Sequence, residues 1–223
     1  MQQYVIIVAG GIGSRMKSDR PKQFIEIKGV PVIVKTIQAF LHYNPTIRII
    51  ISVHKNYKTF LETILEKHEL LLADIQITLG GDTRFDSVKN GLQLIEDVSA
   101  IVGIHDAARP FVSQQTIRNC YELAAQKGNA IPCVSVNESM RKISNNINTS
   151  VNRNEYKIIQ TPQCFLVAKI KQAFMQDYSP RFTDDATVLE SIGEQICLAE
   201  GNEENIKITS PHDLLIANAL ITP

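Results

Sequence analysis

The sequence predicts an α/β fold in which a mainly parallel sheet is covered by helices on both faces and carries a protruding β-hairpin arm. Strand-like and helix-like patterns alternate through residues 4–136, as they do in parallel sheets. Several strand candidates are continuous runs of Val and Ile, which indicates strands buried on both faces. Residues 137–157 interrupt this alternation with a polar, asparagine-rich stretch that predicts the arm.

The predicted strands are Tyr4–Ala9, Arg48–Val53, Ile75–Leu79, Ala100–His105 and Ala130–Val136, and the helices between them are Pro31–Tyr43, Tyr57–Leu72, Arg84–Asp97 and Gln114–Lys127. The last of these helices has Ser113 as an N-cap and Gly128 as a residue that ends it. In such sheets ligands bind beyond the carboxyl ends of the strands. The loops after Ala9, Leu79 and His105 are therefore the expected place for a functional site.

The arm is predicted from two short runs, Met140–Ser144 and Ile147–Val151, which flank Asn145-Asn146. Asparagine tolerates the positive φ of a tight hairpin turn. Because an isolated hairpin is marginally stable in water, we expect it to pack against another surface, most simply a second copy of the chain. A surface loop is the alternative.

After the arm, the patterns predict short elements and no domain linker, so residues 1–223 form a single predicted domain. The expected elements are helices at Ala168–Tyr178 and Asp184–Ser191, strands at Gln195–Ala199 and Asn205–Ile208, and a final helix entered through Ser210 and Pro211.

Composition excludes several classes of protein. Lys+Arg and Asp+Glu both number 23, and zero net charge argues against nonspecific nucleic-acid binding. No apolar run is long enough to span a membrane, and the first residues lack the pattern of a signal peptide. The cysteines are too far apart for a zinc site and predict reduced thiols in a cytoplasmic protein; they are Cys120, Cys133, Cys164 and Cys197.

The loop after the first strand, AGGIGSRM at residues 9–16, allows a close backbone approach to a ligand and can bind anions. It lacks the ending of a Walker A loop and the third glycine of a dinucleotide fingerprint. Residues 1–35 carry six cations against two acids, an excess that suits a nucleoside triphosphate. The cations are Arg15, Lys17, Arg20, Lys22, Lys28 and Lys35. A solvated basic face is the alternative.

Two further strand ends carry polar motifs. Asp106, in HDAARP at 105–110, is placed to hold Mg2+ near a triphosphate, and Arg109 offers a planar fork for a phosphate. His105 is interpreted as a hydrogen-bonded structural residue rather than a catalyst. In GGDTRFDS at 80–87, Asp82 either caps the following helix or contacts a base or ribose.

These motifs together resemble one family. GGIGSRM at 10–16 followed by PKQ at 21–23 resembles the sugar-phosphate nucleotidylyltransferases. GGDTRFDSV at 80–88, HDAARP at 105–110, VNR at 151–153, TPQ at 161–163, TDDA at 183–186 and NIKIT at 205–209 narrow the resemblance to the 2-C-methyl-D-erythritol 4-phosphate cytidylyltransferase family. This resemblance implies a Rossmann-like nucleotidyltransferase fold, CTP and the sugar phosphate as substrates, Mg2+ as cofactor, and a homodimer formed through the arm.

The resemblance also implies roles for residues. Arg15, Lys22 and Lys207 would be catalytic and grip phosphates. The nucleotide would contact Ala9, Gly10, Gly11, Gly13, Gly81, Asp82, Ser87 and Ala107. The acceptor would contact Asp106, Arg109, Ser139, Arg153, Thr161 and Thr183, with Asp106 also serving Mg2+ and Arg153 reaching the partner's site. The family often has Thr where this chain has Ser139, so that contact keeps a hydroxyl but loses a methyl group.

Three other functions stay open on the sequence alone. Ribitol-5-phosphate cytidylyltransferase shares the glycine loop and Pro-Lys-Gln, although HDAARP and TDDA favour the methylerythritol group. A dinucleotide-dependent oxidoreductase is disfavoured by the missing glycine and by the absence of a ribose-binding acid after the second strand. A nucleotide-sensing protein would bind CTP without releasing pyrophosphate.

Overall fold

The computed structural model describes residues 1–11 and 20–221. The strands in this part of the chain are β1 (Gln3–Ala9), β2 (Glu26–Ile27), β3 (Val30–Pro31), β4 (Arg48–Val53), β5 (Ile75–Leu79), β6 (Ile101–Asp106), β7 (Asn129–Ser135), β8 (Arg141–Ser144), β9 (Ile147–Ser150), β10 (Lys157–Ile159), β11 (Gln163–Leu166) and β12 (Leu198–Glu200). The α-helices are α1 (Val32–Tyr43), α2 (Lys58–Lys67), α3 (Arg84–Gln93), α4 (Gln114–Lys127), α5 (Val167–Ala173), α6 (Asp185–Glu190) and α7 (Pro211–Leu220). None of the helices described in these ranges is long and apolar enough to cross a membrane.

The central sheet has the strand order β10-β7-β11-β6-β1-β4-β5, and β12 also pairs with β7. The pairs of β1 with β4 and β6, of β4 with β5, and of β12 with β7 are parallel. The later strands β10 and β11 are antiparallel to their neighbours. The predicted α/β fold with a mostly parallel sheet is therefore confirmed.

Both faces of the sheet are covered by helices because successive strand residues point to opposite sides. On one face, Val5 and Ile7 of β1 belong to a buried cluster with apolar residues of α1, α2 and α4. On the other face, Tyr4 and Ile6 belong to a second cluster, with residues of α3, α5 and α6. This double burial explains why β1, β4 and β6 are continuous apolar runs in the sequence.

Several predicted elements differ from the structure. The strand predicted at Asn205–Ile208 is wrong. The segment is held by individual hydrogen bonds, such as that from Ile208 N–H to the carbonyl of Ala108 at 2.9 Å, and not by the regular hydrogen bonds of a sheet. The helix predicted to reach Leu72 ends at Lys67, because Glu69 adopts a left-handed φ of 57°. Strands β10 and β11 were not predicted, since short segments after the arm give little periodicity.

The predicted hairpin is present as β8 and β9, paired in antiparallel register. Asn145 and Asn146 both have positive φ, 49° and 63°, as a two-residue turn of this type requires. All residues of the two strands are exposed, including Ile143 and Ile147. The hairpin thus presents apolar side chains to its surroundings in a single chain.

Tyr121 connects α4 to strand β1 of the sheet by a hydrogen bond, and its substitution tests this packing. Its ring is 1% exposed, and its hydroxyl donates to the carbonyl of Tyr4 at 2.7 Å. We expect Tyr121→Phe to lower the free energy of unfolding by roughly 1–3 kcal/mol, because a buried acceptor loses its partner. Urea titration measures this; Tyr178→Phe, at a half-exposed ring, is the control, and equal midpoints for the two variants would contradict the assignment.

Candidate active site

A cavity of about 220 Å³ lies at the carboxyl ends of β1, β5 and β6. Its walls come from the three loops that the sequence singled out, together with the segments around residues 22 and 207. The lining residues are Val8, Ala9, Gly10, Gly11, Lys22, Gln23, Gly81, Asp82, Thr83, Arg84, Ser87, Asp106, Ala107, Ala108 and Lys207. The chain therefore brings most of the predicted nucleotide-binding residues to one place.

Lys22 is placed in this cavity by the two residues that follow it in the chain. The side-chain amide of Gln23 is buried and donates to the carbonyls of Ala9 at 2.8 Å and Gly11 at 3.1 Å. Phe24 is buried and packs edge-on against Phe60, with ring centroids 5.2 Å apart. Because both neighbours are fixed, the short 3-10 turn holds Lys22 at the cavity wall beside the glycine loop.

The loops after β1 and β5 meet closely around the Ser87 hydroxyl. This hydroxyl accepts from the N–H of Gly81 at 3.1 Å and donates to the carbonyl of Thr83 at 2.9 Å. A Cβ added to Gly10 or to Gly80 would lie 3.0 Å from the same oxygen. A Cβ at Gly81 would overlap the side chain of Asp86 at 2.2 Å. Glycine is needed at these positions for close packing of backbone.

The structure decides between the two interpretations of Asp82. Thr83 is the N-cap of α3: its hydroxyl accepts from Asp86 N–H, and the Asp86 carboxylate accepts from Thr83 N–H, both at 3.1 Å. The capping interpretation of Asp82 is therefore wrong. Asp82 is exposed and lines the cavity, where a ribose or base can contact it.

The carboxylate of Asp106, at the end of β6, is surrounded by cations. Its Oδ2 lies 3.0 Å from Lys207 Nζ and 3.2 Å from Arg109 Nε, and its Oδ1 lies 3.7 Å from Arg84 Nε. Burial by itself raises the pKa of this carboxyl. The attraction of Lys207, Arg84 and Arg109 outweighs burial and holds the pKa well below its usual range. Asp106 is thus ionised at every working pH.

His105 and Thr161 form a buried chain beneath Asp106. His105 Nε2 lies 3.0 Å from the carbonyl of Arg109, which can only accept, so Nε2 carries the proton. Nδ1 then accepts from the Thr161 hydroxyl at 3.0 Å, and that hydroxyl accepts from Asp106 N–H at 3.1 Å. This chain fixes the backbone on both sides of the carboxylate and agrees with a structural interpretation of His105.

Lys207 reaches Asp106 from a segment without regular structure. Arg109 Nη1 donates to the carbonyl of Asn205 at 2.8 Å, and the buried Asn205 amide donates to the carbonyl of Thr161 at 2.9 Å. These bonds, with the Ile208 bond described above, replace a strand ladder. They hold Lys207 beside the cavity although the predicted strand is absent.

Comparison with known proteins identifies the family. The family model described as IspD, 2-C-methyl-D-erythritol 4-phosphate cytidylyltransferase, matches residues 3–223. A protein of that name from Bacteroides thetaiotaomicron is 48% identical over 99% of this chain and 100% of its own length. The chain belongs to the 2-C-methyl-D-erythritol 4-phosphate cytidylyltransferase family.

Solved structures agree with this assignment to the cytidylyltransferase family. The 2-C-methyl-D-erythritol 4-phosphate cytidylyltransferase of Francisella tularensis has a TM-score of 0.80 at 31% identity, covering 99% of this chain and 100% of that one. The 4-diphosphocytidyl-2C-methyl-D-erythritol synthase of Anaerococcus prevotii has a TM-score of 0.85 at 26% identity, covering 98% and 95%.

The remaining predicted residues lie in different places. Gly13 and Arg15 are outside the described residues. Thr183 is exposed and lines a neighbouring cavity of about 70 Å³, which shares Thr83 and Arg84 with the main one. Thr161 is buried beneath Asp106, as described above. Arg109 does not line the main cavity but contacts its carboxylate.

Ser139 and Arg153 lie at the base of the arm. Both line a surface cavity of about 530 Å³ that has no residue in common with the active-site cavity. Arg153 is exposed, and its guanidinium donates to the carbonyl of Asn137. Within the described part of one chain, these two residues are brought together with each other but not with Asp106.

Three residues that shape this candidate site were not singled out from the sequence. Arg84 was quoted in a motif without a role, although its place directly after Asp82 and Thr83 put it near the ligand. Gln23 also appeared only as part of a motif, and its side-chain amide donates the hydrogen bond that holds the carbonyl of Ala9 at the start of the glycine loop. Asn205 is a buried polar residue whose contacts span distant segments, which no local pattern reveals.

The cavity fits a divalent cation only together with phosphates. Among the described residues there is no group of three or more His, Cys, Asp or Glu side chains able to hold a metal. Asp106 is an ionised carboxylate in the wall of this cavity, and Asp82 lines the same cavity. Mg2+ is commonly bound by one or two carboxylates plus substrate phosphates, so these residues suit a metal that arrives with a nucleotide.

The burial of His105 gives the stability a defined pH dependence. Burial lowers the pKa of His105 from 6.5 to about 4, and the nearby cations Arg109 and Lys207 also lower it. The unfolded chain therefore binds more protons than the folded chain between these values. The contribution of His105 is present above pH 6.5 and is lost as the pH falls toward 4.

We expect the free energy of unfolding to fall more between pH 7 and pH 4 in the unmodified protein than in His105→Gln, by up to ~3 kcal/mol. Urea titrations at a series of pH values measure the difference. His42→Gln, at an exposed histidine, should follow the unmodified protein. Parallel pH curves for the unmodified protein and His105→Gln would contradict a buried neutral imidazole.

Proposed function

We propose that this chain transfers the cytidylyl group of CTP to 2-C-methyl-D-erythritol 4-phosphate and releases pyrophosphate. The family match over residues 3–223 supports this activity. The observation that carries it is the cavity in which two glycine loops, Lys22, Asp106 and Lys207 meet. The relatives compared above bear the name of this reaction, so ribitol phosphate and dinucleotide chemistry are not favoured.

On the nucleotide side, we assign the phosphates to the loop after β1 and the cytidine to the loop after β5. Ala9, Gly10 and Gly11 allow a close approach of the triphosphate. The family resemblance adds Gly13 and Arg15 to the nucleotide contacts. Gly81 and Asp82 would read the base and ribose, with Ala107 beside them. Ser87 would act by holding Gly81, because its hydroxyl is already bonded on both sides.

At the reacting centre, a phosphate oxygen of the acceptor attacks the α-phosphorus of CTP in line with the departing pyrophosphate. No general base is needed, because the nucleophile is already an anion. Catalysis rests on positioning and on stabilisation of developing negative charge. Lys22 and Lys207 would supply that stabilisation as preorganised cations, and the family resemblance adds Arg15 to them.

We infer that a divalent metal, Mg2+, accompanies the nucleotide. Asp106, with Asp82 nearby, would hold it jointly with the phosphates. When bound it would neutralise phosphate charge and favour departure of pyrophosphate. Asp106 also keeps Lys207 at the cavity wall and Arg109 beside it through its ion pairs.

On the acceptor side, Thr183 is an exposed hydroxyl available to the sugar phosphate, while Thr161 would act through the backbone of Asp106. Arg109, bonded to Asp106, would face the acceptor. Ser139 and Arg153 are separated from this cavity within one chain. We propose that they complete the acceptor site of a partner subunit, in a homodimer formed through the arm by this otherwise single domain. We place the enzyme in the cytoplasm, without membrane or nucleic-acid partners.

The activity is tested by pyrophosphate release. The protein is incubated with Mg2+ and each of CTP, ATP, GTP and UTP, against methylerythritol phosphate and ribitol phosphate. We expect a strong response only from CTP with methylerythritol phosphate. A stronger response with ribitol phosphate would reassign the acceptor, and binding of CTP without turnover in any pairing would indicate a nucleotide sensor.

Sharing of sites between subunits is tested by mixing two inactive variants. Lys22→Ala should lower kcat by about 10²-fold, the size of effect seen when other enzymes lose one preorganised hydrogen-bond donor. Arg153→Ala should lose the phosphate contact in the partner's site. Mixed dimers contain one site with both residues intact, so activity should partly return. Absence of recovery in dimers shown to be mixed would reject a shared site.

A further inference from the structure

An ion pair between α3 and α6 lies beside the active-site cavity and has no role in the steps above. Arg84 is the first residue of α3 and Asp185 the first residue of α6. Arg84 Nη1 and Nη2 donate to the two oxygens of Asp185 at 2.9 Å and 2.7 Å. This is a bidentate pair, the geometry in which a guanidinium is held most rigidly.

The two helices begin directly after residues assigned to different substrates. Asp82 and Thr83 precede Arg84 on the nucleotide side, and Thr183 and Asp184 precede Asp185 on the acceptor side. The pair therefore links the loop that faces CTP to the segment that faces the sugar phosphate.

The third edge of the Arg84 guanidinium faces Asp106. Its Nε lies 3.7 Å from Asp106 Oδ1, while the other oxygen of Asp106 receives Lys207 and Arg109. With both Nη atoms bonded to Asp185, Arg84 presents its Nε edge to the carboxylate of Asp106. Asp185 thereby restricts the orientation of Arg84, and the Arg84 charge acts on the Asp106 oxygen that Lys207 and Arg109 do not contact.

The residues on both sides of Asp185 are fixed by contacts that do not involve Arg84. Asp184 caps α6 through Thr187 N–H at 2.9 Å and accepts from the amide of Gln163 on β11 at 2.8 Å. The carbonyl oxygen of that amide accepts from Ala186 N–H at 2.8 Å. The start of α6 is thus anchored on the central sheet, and Asp185 is 1% exposed.

We propose that Asp185 is a positioning residue of the transfer reaction. Through Arg84 it aligns Asp106 and keeps the nucleotide loop and the acceptor segment at a fixed distance from each other. This inference rests on the proposed function, because it concerns alignment of the same two substrates. It assigns Asp185 no contact with either substrate. Its loss therefore affects the chemical step more than nucleotide binding.

The central test is Asp185→Asn, which keeps the side-chain shape and leaves the Asp184 and Gln163 anchors in place. We expect kcat to fall about 10- to 100-fold, since a small misplacement of reacting groups has effects of this size, and KM for CTP to change less than about threefold. Glu194→Gln is the matched control, because it removes the carboxylate from an ion pair with Lys169 that lies outside the cavity. An unchanged kcat, or a rise in KM for CTP alone, would overturn the proposal.

A paired variant separates positioning from simple stability. Asp185→Asn alone leaves the Arg84 charge without its bidentate partner and with only the longer contact to Asp106, which destabilises the protein. In the double variant Arg84→Gln, Asp185→Asn that unpaired charge is gone, so the melting temperature should recover toward the original value while kcat stays low. Recovery of both quantities would mean that the pair is only structural.

A third measurement does not depend on activity. If Asp185 acts on Asp106 through Arg84, the shifts in unfolding midpoint caused by Asp185→Asn and Asp106→Asn are non-additive in the double variant. Additive shifts would overturn the coupling. Turnover by the unmodified protein and by Glu194→Gln tests the proposed function separately, so failure of the function and failure of this inference give different results.

Discussion

The buried carboxylate of Asp106 is the interaction on which the site depends. A carboxylate at the end of a central strand would be costly without compensation, and cations from three separate segments compensate it. Each cation is thereby held near the carboxyl end of the central strand β6. Among the residues that the structure describes, four cations (Lys22, Arg84, Arg109 and Lys207) lie in or beside the cavity against three carboxylates (Asp82, Asp106 and Asp185), which leaves a surplus of positive charge. Such a surplus at the end of a sheet suits a polyphosphate.

The close approach of two backbone loops is the second constraint. The loops after β1 and β5 can touch because glycine occupies positions 10, 80 and 81, where any Cβ would meet Ser87 or Asp86. The side-chain amide of Gln23 then bonds to the carbonyls of Ala9 and Gly11 in the first loop. Backbone groups and cations therefore share one cavity wall, an arrangement that binds phosphate oxygens without a large reorganisation.

Much of this arrangement could be predicted from the sequence because its signals are local. The apolar runs of β1, β4 and β6 and the caps of α4 and α7 identified the main elements nearly to the residue. The turn at Asn145 and Asn146 was equally clear. Glycine and proline motifs at strand ends, read together with the rule that ligands bind there, located the cavity.

What could not be predicted depends on contacts between distant residues. The segment that carries Lys207 is held beside Asp106 by individual hydrogen bonds of Arg109 and Asn205. The sequence pattern does not reveal these bonds and predicts a strand where none forms. Strand β11 lies between β6 and β7 and runs antiparallel to both. It has only four residues, too few for a hydrophobic period to predict it. The pair of Arg84 with Asp185 joins positions that are 101 residues apart, which only the folded chain shows.

The most direct measurement is a crystal structure of the protein with CTP and magnesium. The account predicts the triphosphate against Gly10, Gly11 and Lys22, the cytosine near Gly81 and Asp82, and the α-phosphorus facing Asp106 and Lys207. A nucleotide bound at any other surface, or one whose phosphates point away from these cations, would contradict it.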